Sequence, residues 1–275
     1  MRKIHILLLT GLAGCVASLP AQITIGESLG VTGFIDMSAQ TNDDGDTLGV
    51  NQWEIDFNFT PSEGLAATVD LNDTGGGAEV EQAYVSLDMG GGLGLKAGLF
   101  LTPLGYEGAE PIFLNQVSAS ATTAGIYAGY ANGIAATYGN DLGTLYVSAV
   151  DGSFDADGAG ASDAHDKSIA NFWAQYQTGA LTLAAEYNSL SEYAAGDGEG
   201  FLVMVNYALS DKLSLTLRHS SVDWDDGGEH TEYTICPNYA VSDNLLTRLE
   251  FRSDEYTEDN SKDDETVAAE MIFTF

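Results

Sequence analysis

Apolar and polar residues alternate one by one over long stretches of this chain. Trp53, Ile55, Phe57 and Phe59 interleave with Glu54, Asp56 and Asn58; after a turn at Thr60–Gly64, Leu65, Ala67, Val69 and Leu71 return with the same period. Successive side chains of a strand point to opposite sides, so a period of two describes a strand with one apolar and one polar face. Leu93, Leu95, Ala97, Leu99 and Leu101 share a face with Lys96 opposite. The final ten residues repeat the rule, with Val267, Ala269, Met271, Phe273 and Phe275 on one side and Thr266, Ala268, Glu270, Ile272 and Thr274 on the other. About fourteen strands are expected in all, with twelve or sixteen as alternatives. Each is near the 9–11 residues that a tilted strand needs to cross a bilayer.

The connections alternate as well. Short turns are expected at 60–64, 89–92, 140–142, 178–179, 209–211 and 241–243, and longer acidic or glycine-rich loops at 40–49, 73–78, 102–130, 151–166, 190–199, 223–229 and 254–265. Short turns on one side, long loops on the other and an even strand number describe an all-β, antiparallel, up-and-down transmembrane barrel of the bacterial outer membrane. A soluble sandwich or propeller has no reason to segregate loop lengths in this way. Energetics orient the strands. In Asn244–Ser253, one choice turns Arg248, Glu250 and Arg252 toward hydrocarbon, where an arginine costs roughly 2–4 kcal/mol at the midplane. The other turns Leu245, Thr247, Leu249 and Phe251 outward and is preferred.

Composition sharpens this picture. Gly 32, Tyr 13 and Phe 11 against Pro 5 fit many strands with tight turns and argue against disorder. No run of 18 apolar residues follows the N-terminus, so a membrane-spanning helix is not expected. Residues 1–21, with Arg2 and Lys3, an apolar core over Ile4–Leu9 and small residues to Ala21, read as an export signal. The mature domain is then 22–275. Leu12–Cys15 also resembles a lipobox, which would place the modification at Cys15 instead. Cleavage after Ala21 leaves Cys236 as the sole cysteine, a small packing residue with no disulfide partner. The net charge of -32 excludes nucleic acid as a partner, since that needs clustered lysine and arginine.

The stretch Leu93–Pro111, together with Glu79–Leu87, Asn238–Leu246 and Arg248–Arg252, resembles the β-barrel porins of the OmpL-like family. The ending on Phe275 resembles the last strand of Gram-negative outer-membrane barrels, which the barrel-assembly machinery reads. The resemblance implies a passive pore in the outer membrane for small hydrophilic solutes or ions. Lipid and lipopolysaccharide would surround it, no cofactor would be needed, and a homo-oligomer would be compatible with it.

The candidate chemistry lies on the polar face. Asp36, Glu54, Asp56, Asp70, Lys96, Glu186, Arg218, Arg248, Glu250, Arg252 and Glu270 are expected to line the lumen, where mixed charges set an ion preference. The acidic balance favours cations. Segment 102–130 interrupts the strand rhythm and is the expected constriction loop, with Tyr106, Glu107 and Glu110 at its narrowest part. The acidic stretches Asn42–Asp46, Asp151–Asp166 and Asp254–Glu265 suit hard cations but lack the spacing of a calcium loop, so no metal ligands are assigned. The chief alternative is a non-conducting structural or adhesive barrel. A lipid hydrolase is the least favoured reading: His219 and Ser221 share the outward face, but Thr231, Tyr233 and Ile235 on the paired strand provide no asparagine to orient the imidazole. No catalytic residues are assigned.

Overall fold

Period-two sequences of this length have to satisfy their backbone groups between strands. In the computed structural model they do so in one antiparallel sheet. The structure describes residues 22–102, 104–108, 110–122, 129–140, 143–150, 168–193, 196–257 and 263–275. After a short strand β1 (Ile23–Ile25), the strands are β2 (Leu29–Asn42), β3 (Gly45–Ser62), β4 (Leu65–Asp73), β5 (Glu79–Gly90), β6 (Leu93–Leu101), β7 (Tyr130–Asn140) and β8 (Gly143–Val150). They continue as β9 (Ser168–Thr178), β10 (Leu181–Tyr193), β11 (Gly196–Ala208), β12 (Leu213–Trp224), β13 (Gly228–Ser242), β14 (Leu245–Tyr256) and β15 (Asp264–Thr274).

From β2 to β8 and from β9 to β15, each strand pairs with the next in sequence. The two runs are joined where β2 pairs with β15, the last strand, as a closed up-and-down barrel requires. The expected fourteen wall strands are therefore present. β1, which the alternation did not single out, adds a three-residue pairing to β2. β8 and β9 stand at the two ends of this path, and 151–167 between them fall outside the described residues, as do the expected export signal 1–21 and the expected acidic loop Asp151–Asp166.

Burial inverts the order of a water-soluble domain. Arg218, Glu250, Asn188 and Thr216 are buried, whereas Ile134, Phe172, Leu249, Phe251 and Phe273 are exposed. Apolar side chains gain nothing by turning inward when the outside is hydrocarbon, and charged ones lose several kcal/mol by turning outward, roughly 2–4 for an arginine. The outer face of the barrel is therefore suited to hydrocarbon and its inner face to polar groups.

Three outer connections are tighter than the sequence predicts. The loops expected at 40–49 and 223–229 shrink to 43–44 and 225–227, and of the loop expected at 190–199 residues 190–193 and 196–199 are strand, because the flanking strands run on as hairpins. β3 spans 18 residues, far more than hydrocarbon requires. Beyond the lipid both strand faces meet water, so pairing continues without the alternation that marks a buried strand.

The C-terminus is sewn into the wall. Gly33 N–H donates to the Phe275 carbonyl at 3.0 Å, and Phe275 N–H donates back to the Gly33 carbonyl at 3.0 Å. A Cβ on Gly33 would meet the Glu54 carbonyl oxygen and lie 2.7 Å from Phe275 Cζ, so only glycine fits there.

Candidate functional site

The interior is organised by the segment between β6 and β7. Its sequence has no period of two and carries Pro111, which opens a short 3-10 turn over Pro111–Phe113. Its backbone N–H and C=O groups have no sheet to join and must find partners elsewhere. They find inward-facing side chains of the wall, so residues 104–108 and 110–122 run inside the barrel.

Arginine and glutamate make most of these attachments. Arg248 on β14 donates to the carbonyls of Leu114 (2.5 Å), Pro111 (3.0 Å) and Gln116 (3.1 Å), and pairs with Glu270 of β15 at 2.7 Å. Arg218 on β12 pairs with Glu107 of the segment at 2.7 Å and with Glu232 of β13, and donates to the Ser118 carbonyl at 2.8 Å. Glu250 accepts the backbone N–H groups of Val117 (2.8 Å) and Ser118 (3.0 Å). Glu186 accepts the Tyr106 N–H at 2.7 Å, and the Tyr106 ring stands edge-on to Trp173 with centroids 5.9 Å apart. Glu107 further accepts Ser120 N–H at 2.8 Å and Gln116 Nε2 at 2.7 Å. Arg218, Arg248, Glu250, Glu186, Glu107 and Glu270 all have exposures of 5% or less, so they are covered by the segment and not bathed by open solvent. Arg252, the remaining arginine of that set, sits nearer the rim and pairs with Asp254 at 2.7 Å, which also contacts His230.

Across the barrel the charge is of one sign. Cross-strand register puts Glu54 opposite Asn72 and Asp56 opposite Asp70, and Asp70 opposite Gln82. A bulge in β5, where Asp70 pairs with Gln82 but Leu71 pairs with Val80, leaves Glu81 as the extra residue. Asn72 Nδ2 donates to Glu81 Oε1 at 2.6 Å, which fixes Glu81 on the inner side. The inner segment delivers Glu110, held by Gln52 Nε2 at 2.9 Å and by the Tyr130 hydroxyl. Carboxylate oxygens of Glu54, Asp56 and Asp70 lie within 4.8 Å of one another, as do those of Glu54, Glu81 and Glu110. Two carboxylates at 4.8 Å repel by about 3 kcal/mol at an effective dielectric of about 20. Burial, and then the neighbouring Glu81, raises the Glu110 carboxyl above its ordinary range. Asp36 lies on the adjacent strand and accepts Asn51 Nδ2 at 2.8 Å.

Lys96 of β6 is the basic side chain on this part of the wall, with its ammonium 4.2 Å from the Tyr84 ring centroid and 5.5 Å from that of Phe100. It is half-buried, as are the inward-facing Thr137, Tyr146, Asn171 and Gln175, while Ser148 and Trp173 are exposed. The inner wall thus divides among the described residues. The segment covers β10 to β15, whereas on β6 to β9 the inward Lys96, Thr137, Tyr146, Ser148, Asn171, Trp173 and Gln175 keep contact with solvent and Phe100, Ala131 and Ala135 are buried.

Sequence parity put all eleven expected charges on the inner face, but it missed Glu81. Outward Ala83, Val85 and Leu87 imply that an unbroken strand would turn Glu81 to lipid; that cost was the available signal for a bulge. On the outer face His219 stacks on Tyr233 with centroids 4.8 Å apart and meets Phe201 edge-on at 6.5 Å, as part of an aromatic surface. Cys236 is buried on the inner face and is free.

A family model described as "Putative beta-barrel porin-2, OmpL-like" matches residues 130–275. None of the curated proteins matches the sequence. Among solved structures, outer-membrane expressed OmpT of Vibrio cholerae aligns with TM-score 0.62 at 11% identity, over 92% of this chain and 100% of that one. OmpF of Salmonella typhi in complex with daunomycin gives TM-score 0.61 at 11% identity, over 93% and 100%. An anion-selective porin from Comamonas acidovorans gives TM-score 0.55 at 13% identity, over 90% and 99%. At these identities the likeness is one of fold.

Proposed function

The chain belongs to the beta-barrel porin-2, OmpL-like family, and from that premise we propose that it is a diffusion channel of the outer membrane, passing small hydrophilic solutes and ions with a preference for cations. The observation that carries this reading is the uneven cover of the inner wall. Residues 104–108 and 110–122 are fastened against β10 to β15, while the inward polar side chains Lys96, Thr137, Ser148, Asn171 and Gln175 of β6 to β9 remain solvent-accessible, which supports a passage beside an inner loop. The segment acts as the constriction, and the acidic side chains of β3 to β5 with Glu110 lie on its flank. Arg218 and Arg248 are spent on holding the segment, so they contribute little positive field to the passage. Glu54, Asp56, Asp70, Glu81 and Glu110 form no ion pair with lysine or arginine among the described residues, and their field favours cations. Transport needs no chemical step; solute moves down its gradient. The strand ending in Phe275 serves insertion by the barrel-assembly machinery.

Planar-bilayer conductance of the refolded mature chain under a KCl gradient tests this. Steady ohmic steps with a cation-selective reversal potential are expected. Steps with an anion-selective potential would keep the channel and overturn its preference. A folded, heat-modifiable barrel that never conducts would overturn the channel and leave a structural barrel plugged by its inner segment.

A further inference from the structure

The carboxylates of β3 to β5 and the inner segment meet with too few donors. Thr32 Oγ1 reaches Asp56 Oδ2 at 2.7 Å, Gln82 Nε2 reaches Asp70 Oδ2 at 2.5 Å, and Asn72 Nδ2 reaches Glu81 Oε1. Lys96 faces the Tyr84 and Phe100 rings and makes no ion pair with the cluster among the described residues. Glu54 Oε2, Asp56 Oδ1, Asp70 Oδ1 and Glu81 Oε2 are buried with no partner. Glu54 belongs to both triads and is only 5% exposed. Asn72 is 4% exposed, and its amide oxygen is likewise unpartnered although its nitrogen is seated on Glu81. A buried neutral oxygen without a donor is independent of the acidic count. A cation satisfies both kinds of oxygen at once.

We propose that this cluster binds calcium on the inner wall, with Glu54, Glu81 and Glu110 around the ion and Asp56, Asp70 and the Asn72 amide oxygen beside it, and that the ion ties the inner segment to β3 and β5. All the donors are hard oxygens, which excludes soft-metal preference. Ca²⁺ accepts six to eight oxygens in irregular arrangements at about 2.3–2.6 Å, so opposite ligands stand roughly 4.6–5.2 Å apart. The 4.8 Å envelope of each triad fits inside such a shell with little rearrangement. Mg²⁺ demands an octahedron of about 2.0–2.1 Å and retains several waters, which carboxylates anchored on three separate strands and a loop serve poorly. Glu110 is the one carboxylate contributed by the segment, so the ion fixes its position as Arg218 and Arg248 do on the opposite side. The site is independent of whether the barrel conducts.

Calorimetric titration of the chelator-treated, refolded mature barrel with CaCl2, and separately with MgCl2, tests the assignment. Acidic outer loops also attract calcium, so the variants decide. Glu54→Gln and Glu110→Gln are each expected to weaken the tightest calcium binding by about tenfold or more, and calcium should raise the unfolding temperature of the parent more than that of either variant. Glu110→Gln leaves the wall untouched, so it reads the site even if Glu54→Gln fails to fold. Calcium binding that neither variant alters would place the ion in the outer loops and overturn the site. Absence of binding would overturn it in favour of shared protons. Equal affinity for magnesium with the same dependence on Glu54 would overturn the calcium assignment.

Discussion

Arg218 shows how a single side chain decides between packing and field. Its guanidinium lies between Glu107 of the inner segment and Glu232 of β13, and it also donates to the Ser118 hydroxyl at 3.0 Å and to the Ala119 carbonyl at 3.4 Å. Breaking a buried pair by removing one partner costs about 3–5 kcal/mol, because the remaining charge stays desolvated. Arg218→Met strands two carboxylates and is expected to destabilise the barrel by about that amount, read from urea unfolding in lipid vesicles. Arg218→Lys should recover part of the loss, since an ammonium keeps the charge but not the planar fork that reaches carbonyls and carboxylates together. Parity in β12 made the inward direction of Arg218 legible in the sequence. Its partner Glu107 is 111 residues away on a segment with no period, so no spacing could have revealed the contact.

At the level of elements, what the alternation marks is contact with lipid on one face, not pairing as such. Strand cores such as β6 and β15 were legible for that reason. The hairpin ends above the membrane, including Gly45–Gly49 of β3, were read as loop because both faces there are wetted. The bulge in β5 was hidden for the opposite reason: one extra residue shifts the face of everything beyond it, and Glu81 moves from the lipid side to the inner wall. The seam between β2 and β15 depends on Gly33, over which the Phe275 ring lies. Gly33→Val forces a side chain against the Glu54 carbonyl and that ring, and is expected to cost about 1–3 kcal/mol and reduce the folded, heat-modifiable fraction. A fraction equal to the parent's would show that the seam tolerates the added bulk.

At the level of the whole molecule, the barrel and its contents obey different rules, and only the wall writes its rule into the sequence. The inner segment is optional for closing the wall: Leu101 and Tyr130 are cross-strand partners, so a two-residue turn can join β6 to β7 directly. Replacing 102–129 by Asn-Gly would remove Glu107 and Glu110 and open the inner faces of β10 to β15. The newly wetted wall would carry Arg218 and Arg248 against Glu186, Glu232, Glu250 and Glu270, which leaves carboxylates in excess on that side too. Conductance per channel is therefore expected to rise while the proposed preference for cations is kept, both read from bilayer steps and reversal potential in the same KCl gradient. Conductance equal to the parent's would place the narrowest point elsewhere. A switch to anion preference would assign the selectivity of the parent to Glu107 and Glu110 rather than to the wall.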